Sequence, residues 1–224
     1  MQFTLGALYT YKGWNFDIEG YYKKITDISS ISDFILTLAL PDNDETLIYY
    51  GEEERIGVDF LLKRRIRNYR FRAGYSLSKT IASFPLVQDN YYNGSFDQPH
   101  VFNLSQTLKV NQFEFSLGWN YATGRPFTRI FPDDNDLDGG VIDPRGINSS
   151  RFKSYHRLDA SVTFRFKIYK SKETNGMIGF SLRNIYNGEN IISQGIGQDA
   201  NFLLQSFENK SLRFTPDFVV RFNF

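Results

Sequence analysis

The residues best suited to chemistry in this chain lie outside its regular segments. In "ATGRPFTRIF", residues 122–131, Arg125, Phe127, Arg129 and Phe131 fall at every second position. A guanidinium grips a carboxylate or phosphate through two parallel hydrogen bonds, and an aromatic face stacks on a sugar or another flat ring. "DNYYNG", residues 89–94, offers Tyr91 and Tyr92 for the same kind of contact. Singly, each of these side chains would serve ordinary loop packing; together, the six are the expected ligand contacts.

A second cluster, "DDNDLDGG" at residues 133–140, sets Asp134, Asp136 and Asp138 ahead of Gly139, the spacing of the first half of a calcium loop. Position twelve of such a loop needs a bidentate Glu, and Arg145 stands there. The ordinary reading is a solvated loop with Asp/Gly turns. A structural Ca²⁺ completed by other ligands is the alternative, and no other cofactor is expected. The only histidines, His100 and His156, each open an apolar segment with Asp97 or Asp159 nearby. A hydrolase would need such a pair, but no nucleophile elbow accompanies either. Structural hydrogen bonds are the expected role, with no catalytic residue.

What must hold these loops is a set of long strands. In "NYRFRAGYSLSK", Tyr69, Phe71, Ala73, Tyr75 and Leu77 alternate with Arg70, Arg72, Gly74, Ser76 and Ser78, which is the period of a half-buried strand. "FEFSLGWNYA" and "HRLDASVTFRFKI" repeat the pattern. The whole chain reads as nine strands near 2–10, 13–25, 53–63, 69–80, 99–110, 113–123, 155–169, 176–187 and 210–224, without a helix. Aromatics make up 17% of residues, with 22 Phe and 14 Tyr, and favour strands. Leu8 and Leu61 break phase, and a bulge is expected at Asn184 to Tyr186, where the series Ile178, Phe180, Leu182 gives way to Ile185.

Connections alternate in length. Short turns are expected at Lys12-Gly13, Arg64 to Asn68, Asn111-Gln112 and Lys170 to Asn175, and long polar loops at 26–52, 81–98, 124–154 and 188–209. Short turns at one rim and long loops at the other are the plan of an outer-membrane barrel. Strands of ~10 to 15 residues exceed the mode of ~5 to 6 in soluble sheets and reach the ~9 to 11 needed to cross a bilayer. Aromatics gather near strand ends as two girdles, with Tyr9, Tyr11, Trp14 and Phe16 at one rim and Trp119 and Tyr121 at the other. A soluble sandwich also alternates, but these features favour a membrane barrel. With 26 basic and 25 acidic residues, net charge is +1, and no nucleic-acid partner is expected. No cysteine is present, so disulfides and thiolate metal sites are excluded.

If the short turns are periplasmic, both the first and the last strand run inwards. Nine antiparallel strands then cannot close, since the first and last would be parallel neighbours, and their free edges would leave backbone groups unpaired in hydrocarbon at several kcal/mol each. The expectation is that residues 1–224 are the C-terminal part of one larger barrel domain. The final strand, "SLRFTPDFVVRFNF", places Phe218, Val220, Phe222 and Phe224 on one face, as the signal read by a barrel-assembly machinery would be.

The stretches "WNFDIEGYYKKITDI", "EERIGVDFLLKR", "YRFRAGYSLSK", "FDQPHVFNLSQTLKV", "FEFSLGWNYATGRPFT", "YHRLDASVTFRFKI", "SLRNIYNGEN" and "LRFTPDFVVRFNF" cover nearly the whole chain. In series they resemble the C-terminal portion of a TonB-dependent outer-membrane receptor. That resemblance implies a 22-stranded all-β, antiparallel transmembrane barrel with an N-terminal plug, in the outer membrane of a Gram-negative bacterium. It further implies uptake of a scarce nutrient such as a siderophore, a cobalamin or an oligosaccharide. Partners would be the lipid bilayer, the assembly machinery, the plug and remaining strands, and the TonB complex acting through the missing N-terminal part. Plug and signal peptide are expected to lie outside this chain. Arg70, Arg72, Arg157, Asp159, Arg165, Asp217 and Arg221 would line the lumen in cross-strand ion pairs and against the plug. A passive porin-like or adhesin-type barrel is the alternative, and an outer-membrane hydrolase a more distant one.

Overall fold

A chain that alternates apolar and polar residues for ten or more positions satisfies two environments at once only when extended, since successive side chains then point to opposite faces. The computed structural model, which describes residues 1–31, 48–133, 136–142, 145–167, 175–198 and 204–223, realises this as a long antiparallel meander. It opens with β1 (Gln2–Tyr11), β2 (Trp14–Ile31), β3 (Ile48–Ile66) and β4 (Tyr69–Phe84), after which β5 (Gln88–Asn93) folds back on the end of β4. The wall continues with β6 (His100–Val110) and β7 (Phe113–Ala122). The next connection contains four short strands, β8 (Pro126–Phe127), β9 (Ile130–Asp133), β10 (Asp136–Ile142) and β11 (Ser150–Arg151). β12 (Tyr155–Lys167) and β13 (Asn175–Arg183) resume the wall, β14 (Ile191–Gln198) and β15 (Leu204–Lys210) form a separate hairpin, and β16 (Thr215–Asn223) ends the series.

The wall order is β1-β2-β3-β4-β6-β7-β12-β13-β16, each strand hydrogen-bonded to its sequence neighbour in the wall. These are the nine strands the periodicity predicts, with different ends. β2 and β3 run further at the long-loop rim because their pairing continues past a bulge between Ile25 and Ile28, where Asp27 takes φ 57°. The bulge expected at Asn184 to Tyr186 is instead a strand end. β13 stops at Arg183, and Asn184 turns the chain with φ 52°. Loss of phase there accompanies termination, with one further bond to β12 slipped by one residue, from the Ile185 N–H to the Leu158 carbonyl at 2.9 Å.

Short turns gather at one rim. Lys12 and Gly13, at φ 46° and 79°, make a two-residue hairpin with both residues left-handed, which matches strand twist and suits glycine at the second position. β3 continues to Ile66, so the second turn is only Arg67-Asn68, and the third is Asn111-Gln112. The fourth, expected at Lys170 to Asn175, falls largely in 168–174, outside the described residues.

Register assigns every wall residue to a face. Tyr9, Phe16, Leu62, Ala73 and Leu104 lie in neighbouring strands on one face, continued by Trp119, Leu158 and Leu182. Arg70, Arg72, Arg157, Asp159, Arg165, Asp217 and Arg221 all fall on the other. Burial is inverted relative to a water-soluble protein. Among the described residues, the buried apolar side chains are only Ala82 and Pro126, whereas Asp97, Asn148, Asn184 and Asn190 are buried. Leu5, Phe60, Phe115, Phe180, Phe218, Val220 and Phe222 are exposed on the apolar face. A continuous apolar surface of this extent is an aggregation hazard in water and the normal exterior of a barrel in lipid. The chain is therefore a nine-strand segment of a transmembrane β-barrel wall.

Both aromatic girdles form on the apolar face. At the short-turn rim, Tyr9 stacks on Tyr11, Trp14 meets Phe71 edge-on at 6.0 Å, and Phe113 lies 4.9 Å from Phe164. The Arg64 guanidinium covers Trp14 at 4.6 Å. At the long-loop rim, Trp119 contacts Phe102 and Tyr121, while Tyr75 stacks on His100.

The polar face carries ion pairs of uneven density. Arg157 pairs with Asp159 at 2.9 Å and Arg183 with Asp217 at 3.0 Å. Glu114 alone serves Arg70 at 3.5 Å, Lys109 at 3.0 Å and Arg165 at 3.7 Å, from three other strands. Arg72 and Arg221 have no ion-pair partner among the described residues.

Candidate ligand-binding site at the long-loop rim

The long connections are held down by two buried polar knots. In the first, Asp97 is completely buried between β5 and β6. Its Oδ1 accepts the Thr80 N–H at 2.6 Å, and its Oδ2 is paired with Lys79 at 3.3 Å and with Arg151. Arg151 also donates to the carbonyls of Asp97 at 2.7 Å and Gly124 at 3.2 Å. The loop before β6 is thereby tied to β11 in the next loop. Gly124 is required at this crossing, since a Cβ there would meet the Phe152 carbonyl oxygen at 1.8 Å. Asn148, left-handed at φ 52°, reinforces the tie. Its Nδ2 donates to the Asn93 carbonyl at 2.8 Å, the Asn93 amide donates back to the Asn148 carbonyl at 3.0 Å, and its N–H donates to Thr128 Oγ1 at 3.0 Å.

The second knot is asparagine-rich. Asn184 is fully buried, with its Nδ2 donating to the carbonyls of Gly188 and Leu212 and its Oδ1 accepting the Gly188 N–H. Asn190 exchanges two hydrogen bonds of 2.9 Å with the backbone of His156. Asn187 Oδ1 accepts the Phe214 N–H at 3.1 Å. Glu189 joins Lys210 at 3.1 Å and Arg213 at 2.6 Å. The Lys210 hydrogen bond, with the Arg213 charge behind it, holds the Glu189 carboxyl below the usual glutamate range. A carboxylate depressed in this way contributes stability above its unfolded pKa and loses it as pH falls through the folded value. Protection factors for amide exchange in 184–190 should hold at neutral pH and drop below about pH 4. Glu189→Gln should abolish that step, and an unchanged step in the variant would reject the assignment.

Beside these knots lies a cavity of 280 Å³, lined by Phe96, Arg125, Phe127, Asn148, Phe152 and residues 192–194 of β14. Phe127 stacks on Phe152 at 4.4 Å, nearly parallel, and the Arg125 guanidinium sits 5.0 Å from the Phe96 ring centre. The cavity therefore offers two flat aromatic surfaces and one exposed guanidinium, which is the equipment for a flat, anionic or sugar-like ligand.

Of the six expected contacts, Arg125 and Phe127 meet in this cavity. Arg129 and Phe131 are exposed beyond it, the latter on β9. Tyr91 and Tyr92 sit on β5, and the Tyr91 hydroxyl bonds Glu52, which is paired with Lys24 at 2.9 Å. Tyr91 thus faces an ion-pair cluster over β2 and β3. The bond to Glu52 raises its pKa. Asp134 lies outside the described residues, and for Asp136 and Asp138 only the backbone, on β10, is described.

His100 and His156 sit on the apolar face, each with Nδ1 against a tyrosine hydroxyl, Tyr75 at 2.8 Å and Tyr186 at 3.0 Å. His156 and Asp159 project from opposite faces of β12, because they lie three positions apart in a strand. Asp97 is committed to Arg151 and Thr80. Neither dyad forms.

Sequence reasoning missed Asp97, Phe96, Asn148, Arg151 and Phe152 as site-builders. The ion pair between Asp97 and Arg151 spans 54 residues and has no local signature. Asn184, Asn187 and Asn190 did carry one, since asparagine recurring after a strand end tolerates left-handed turns and bonds neighbouring backbone.

No family model and no curated protein matches the sequence. Solved structures match it along its whole length. Against Pseudomonas aeruginosa FpvA bound to a ferric heterologous pyoverdine, the TM-score is 0.58 at 9% identity, covering 100% of this chain and 26% of that one. The fold is that of a TonB-dependent receptor barrel. The ferric-catecholate import receptor Fiu of Escherichia coli K12 matches 99% of the chain with a TM-score of 0.55 at 13% identity, over 27% of its own length. FpvAI in complex with pyocin S2 matches with a TM-score of 0.56 at 11% identity, over 26% of its length. The chain spans about a quarter of the length of the chains it resembles.

Proposed function

We propose that the chain is the C-terminal barrel portion of an outer-membrane receptor for energised uptake of a scarce nutrient of the siderophore, cobalamin or oligosaccharide class. The observation that carries this reading is an ordered long-loop rim, knotted by Asp97 and Asn184, that holds the Arg125–Phe96 and Phe127–Phe152 pairs around one cavity. A passive channel needs open loops, not a cavity lined with an aromatic stack and a guanidinium. The ligand meets the rim first, is gripped through its anionic or ring groups, and leaves when an inner-membrane machine does work on the remainder of the receptor.

The test is uptake by cells producing the whole protein, supplied in turn with radiolabelled iron chelated by catecholate or hydroxamate carriers, cobalamin and maltooligosaccharide. One of these should accumulate, and a protonophore should stop it. Arg125→Ala should weaken its binding about tenfold, the worth of one charge-assisted contact. Accumulation indifferent to the protonophore would establish the passive barrel instead.

A further inference from the structure

We propose that the apolar, outward face of β2, β3, β4 and β6 beside the short turns is a binding site for one glycerophospholipid with an anionic headgroup. Among the residues paired in the wall ladder, the register puts five charged side chains on this face: Lys24, Glu52, Glu54, Lys79 and Arg64. The first four gather at the long-loop rim, where Lys24 pairs with Glu52 and Glu54 at 2.9 Å and Lys79 with Asp97 at 3.3 Å. Arg64 stands alone at the opposite rim. It is half-buried, its guanidinium lies 4.6 Å from the Trp14 ring centre, and it has no ion-pair partner among the described residues.

The surroundings of Arg64 do not change when the barrel is completed. Further strands would pair at the free edges of β1 and β16, and a plug would meet the polar face. Arg64 lies two strands in from β1 and on the other face, so what it meets is lipid. A guanidinium at the level of a girdle tryptophan sits at the depth of the headgroups, in the leaflet at the short turns, which are periplasmic in barrels of this plan. At that depth its complement is a phosphate.

A groove leads from Arg64 into the apolar band. Trp14, Arg64, Phe71 and Gln106 form one rung of the ladder, and Phe16, Leu62, Ala73 and Leu104 form the next on the same face, about 7 Å further from the turns. Ala73 is the one small side chain of that second rung, and along β4 it lies between Phe71 and Tyr75. The dip it leaves belongs to a cavity of 290 Å³ lined by Tyr9, Phe16, Phe60, Leu62, Ala73 and Phe102 among others. An acyl chain in this groove brings its headgroup to Arg64.

The headgroup's charge follows from the groups around the guanidinium. Gln106 Oε1 accepts the Tyr69 hydroxyl at 2.8 Å, which leaves Nε2 to donate. The nearest carboxylate on the same face of β3 is Glu54, ten positions away, or about 33 Å. An ethanolamine ammonium would find no carboxylate here, whereas a phosphodiester ending in glycerol meets donors for its oxygens. Phosphatidylglycerol therefore fits the site, and phosphatidylethanolamine does not. The site requires only that the wall lie in lipid, and it stands whether uptake through the barrel is driven or passive.

The probe is dioleoyl phosphatidylglycerol, added to the whole protein in detergent micelles, with dioleoyl phosphatidylethanolamine for comparison and retained lipid counted by native mass spectrometry. The parent should hold one phosphatidylglycerol about tenfold more tightly than phosphatidylethanolamine. Arg64→Gln should reduce that preference to about twofold or less. Ala73→Leu fills the groove without touching the charge and should weaken both lipids about 3–5-fold. Lys167→Gln removes a charge from the same rim on the polar face and should leave the preference unchanged. Without added lipid, all three variants should unfold at the parent's temperature. Equal binding of the two lipids by the parent, a preference that survives Arg64→Gln, or an equal loss in Lys167→Gln would overturn the headgroup assignment. Unchanged lipid binding in Ala73→Leu would overturn the groove. Displacement of the lipid by inorganic phosphate at equal concentration would show a free-anion site instead.

Discussion

Asp97→Asn is expected to loosen the long-loop rim while leaving the barrel wall intact. Asp97 is fully buried and its carboxylate meets the Thr80 N–H, Lys79 and Arg151 together. Asparagine keeps the shape and an acceptor but removes the charge, leaving Arg151 partly buried without its counter-ion. Breaking a buried pair from one side costs about 3–5 kcal/mol. Arg151 retains 28% exposure and its bonds to the carbonyls of Asp97 and Gly124, so the lower end applies. Amide protection at 94–98 and 145–151 should fall by on the order of 100-fold, with β6, β7 and β12 unaffected. A uniform loss across wall and loops, or none at all, would contradict the assignment of Asp97 as a local knot.

Asn184→Ala should be the most damaging single change in the second knot, at about 2–4 kcal/mol. Two separate causes add. The side chain makes three hydrogen bonds inside a fully buried site, to the carbonyls of Gly188 and Leu212 and from the Gly188 N–H. The backbone sits at φ 52°, where alanine is strained and asparagine is tolerated. Asn184→Gly separates them, relieving the backbone by about 1 kcal/mol without restoring any bond. Urea unfolding in detergent should therefore rank the parent above glycine and glycine above alanine. Equal stability for glycine and alanine would show that the left-handed turn contributes nothing.

The wall was legible because each strand repeats a period of two over a length set by the membrane, and that signal needs no partner. Face assignment follows from the same period, so Tyr69 to Leu77 and Arg70 to Ser78 separated correctly. Strand ends were less legible: β2 and β3 run past their expected limits because they pair with each other above the wall, and a polar segment such as "IYYGEEE" shows no amphipathic stripe. In the candidate site, Arg125 and Phe127 announced themselves by type, but their neighbours Phe96 and Phe152 are unremarkable in sequence and gain meaning only from apposition. Tyr91 was read as a ligand contact by the same criterion and lies instead against Glu52. The facing of Lys63 with Arg72 and of Arg65 with Arg70 was also invisible as a list of charges, because it exists only once the two-residue turn at Arg67-Asn68 fixes the register.

The meander connectivity carries a consequence for how the molecule comes into being. Every wall pairing joins strands adjacent along the wall, so no pairing waits for a distant part of the chain. Loop-closure entropy grows with loop length, which orders the steps: hairpins across Lys12-Gly13, Arg67-Asn68 and Asn111-Gln112 close at the least cost, and the long connections follow. The tie between Asp97 and Arg151, reaching across 54 residues, becomes available only when β4, β6, β7 and β12 already stand side by side. The long-loop rim is thus the last part to be made, and the wall beneath it can stand before its rim is tied.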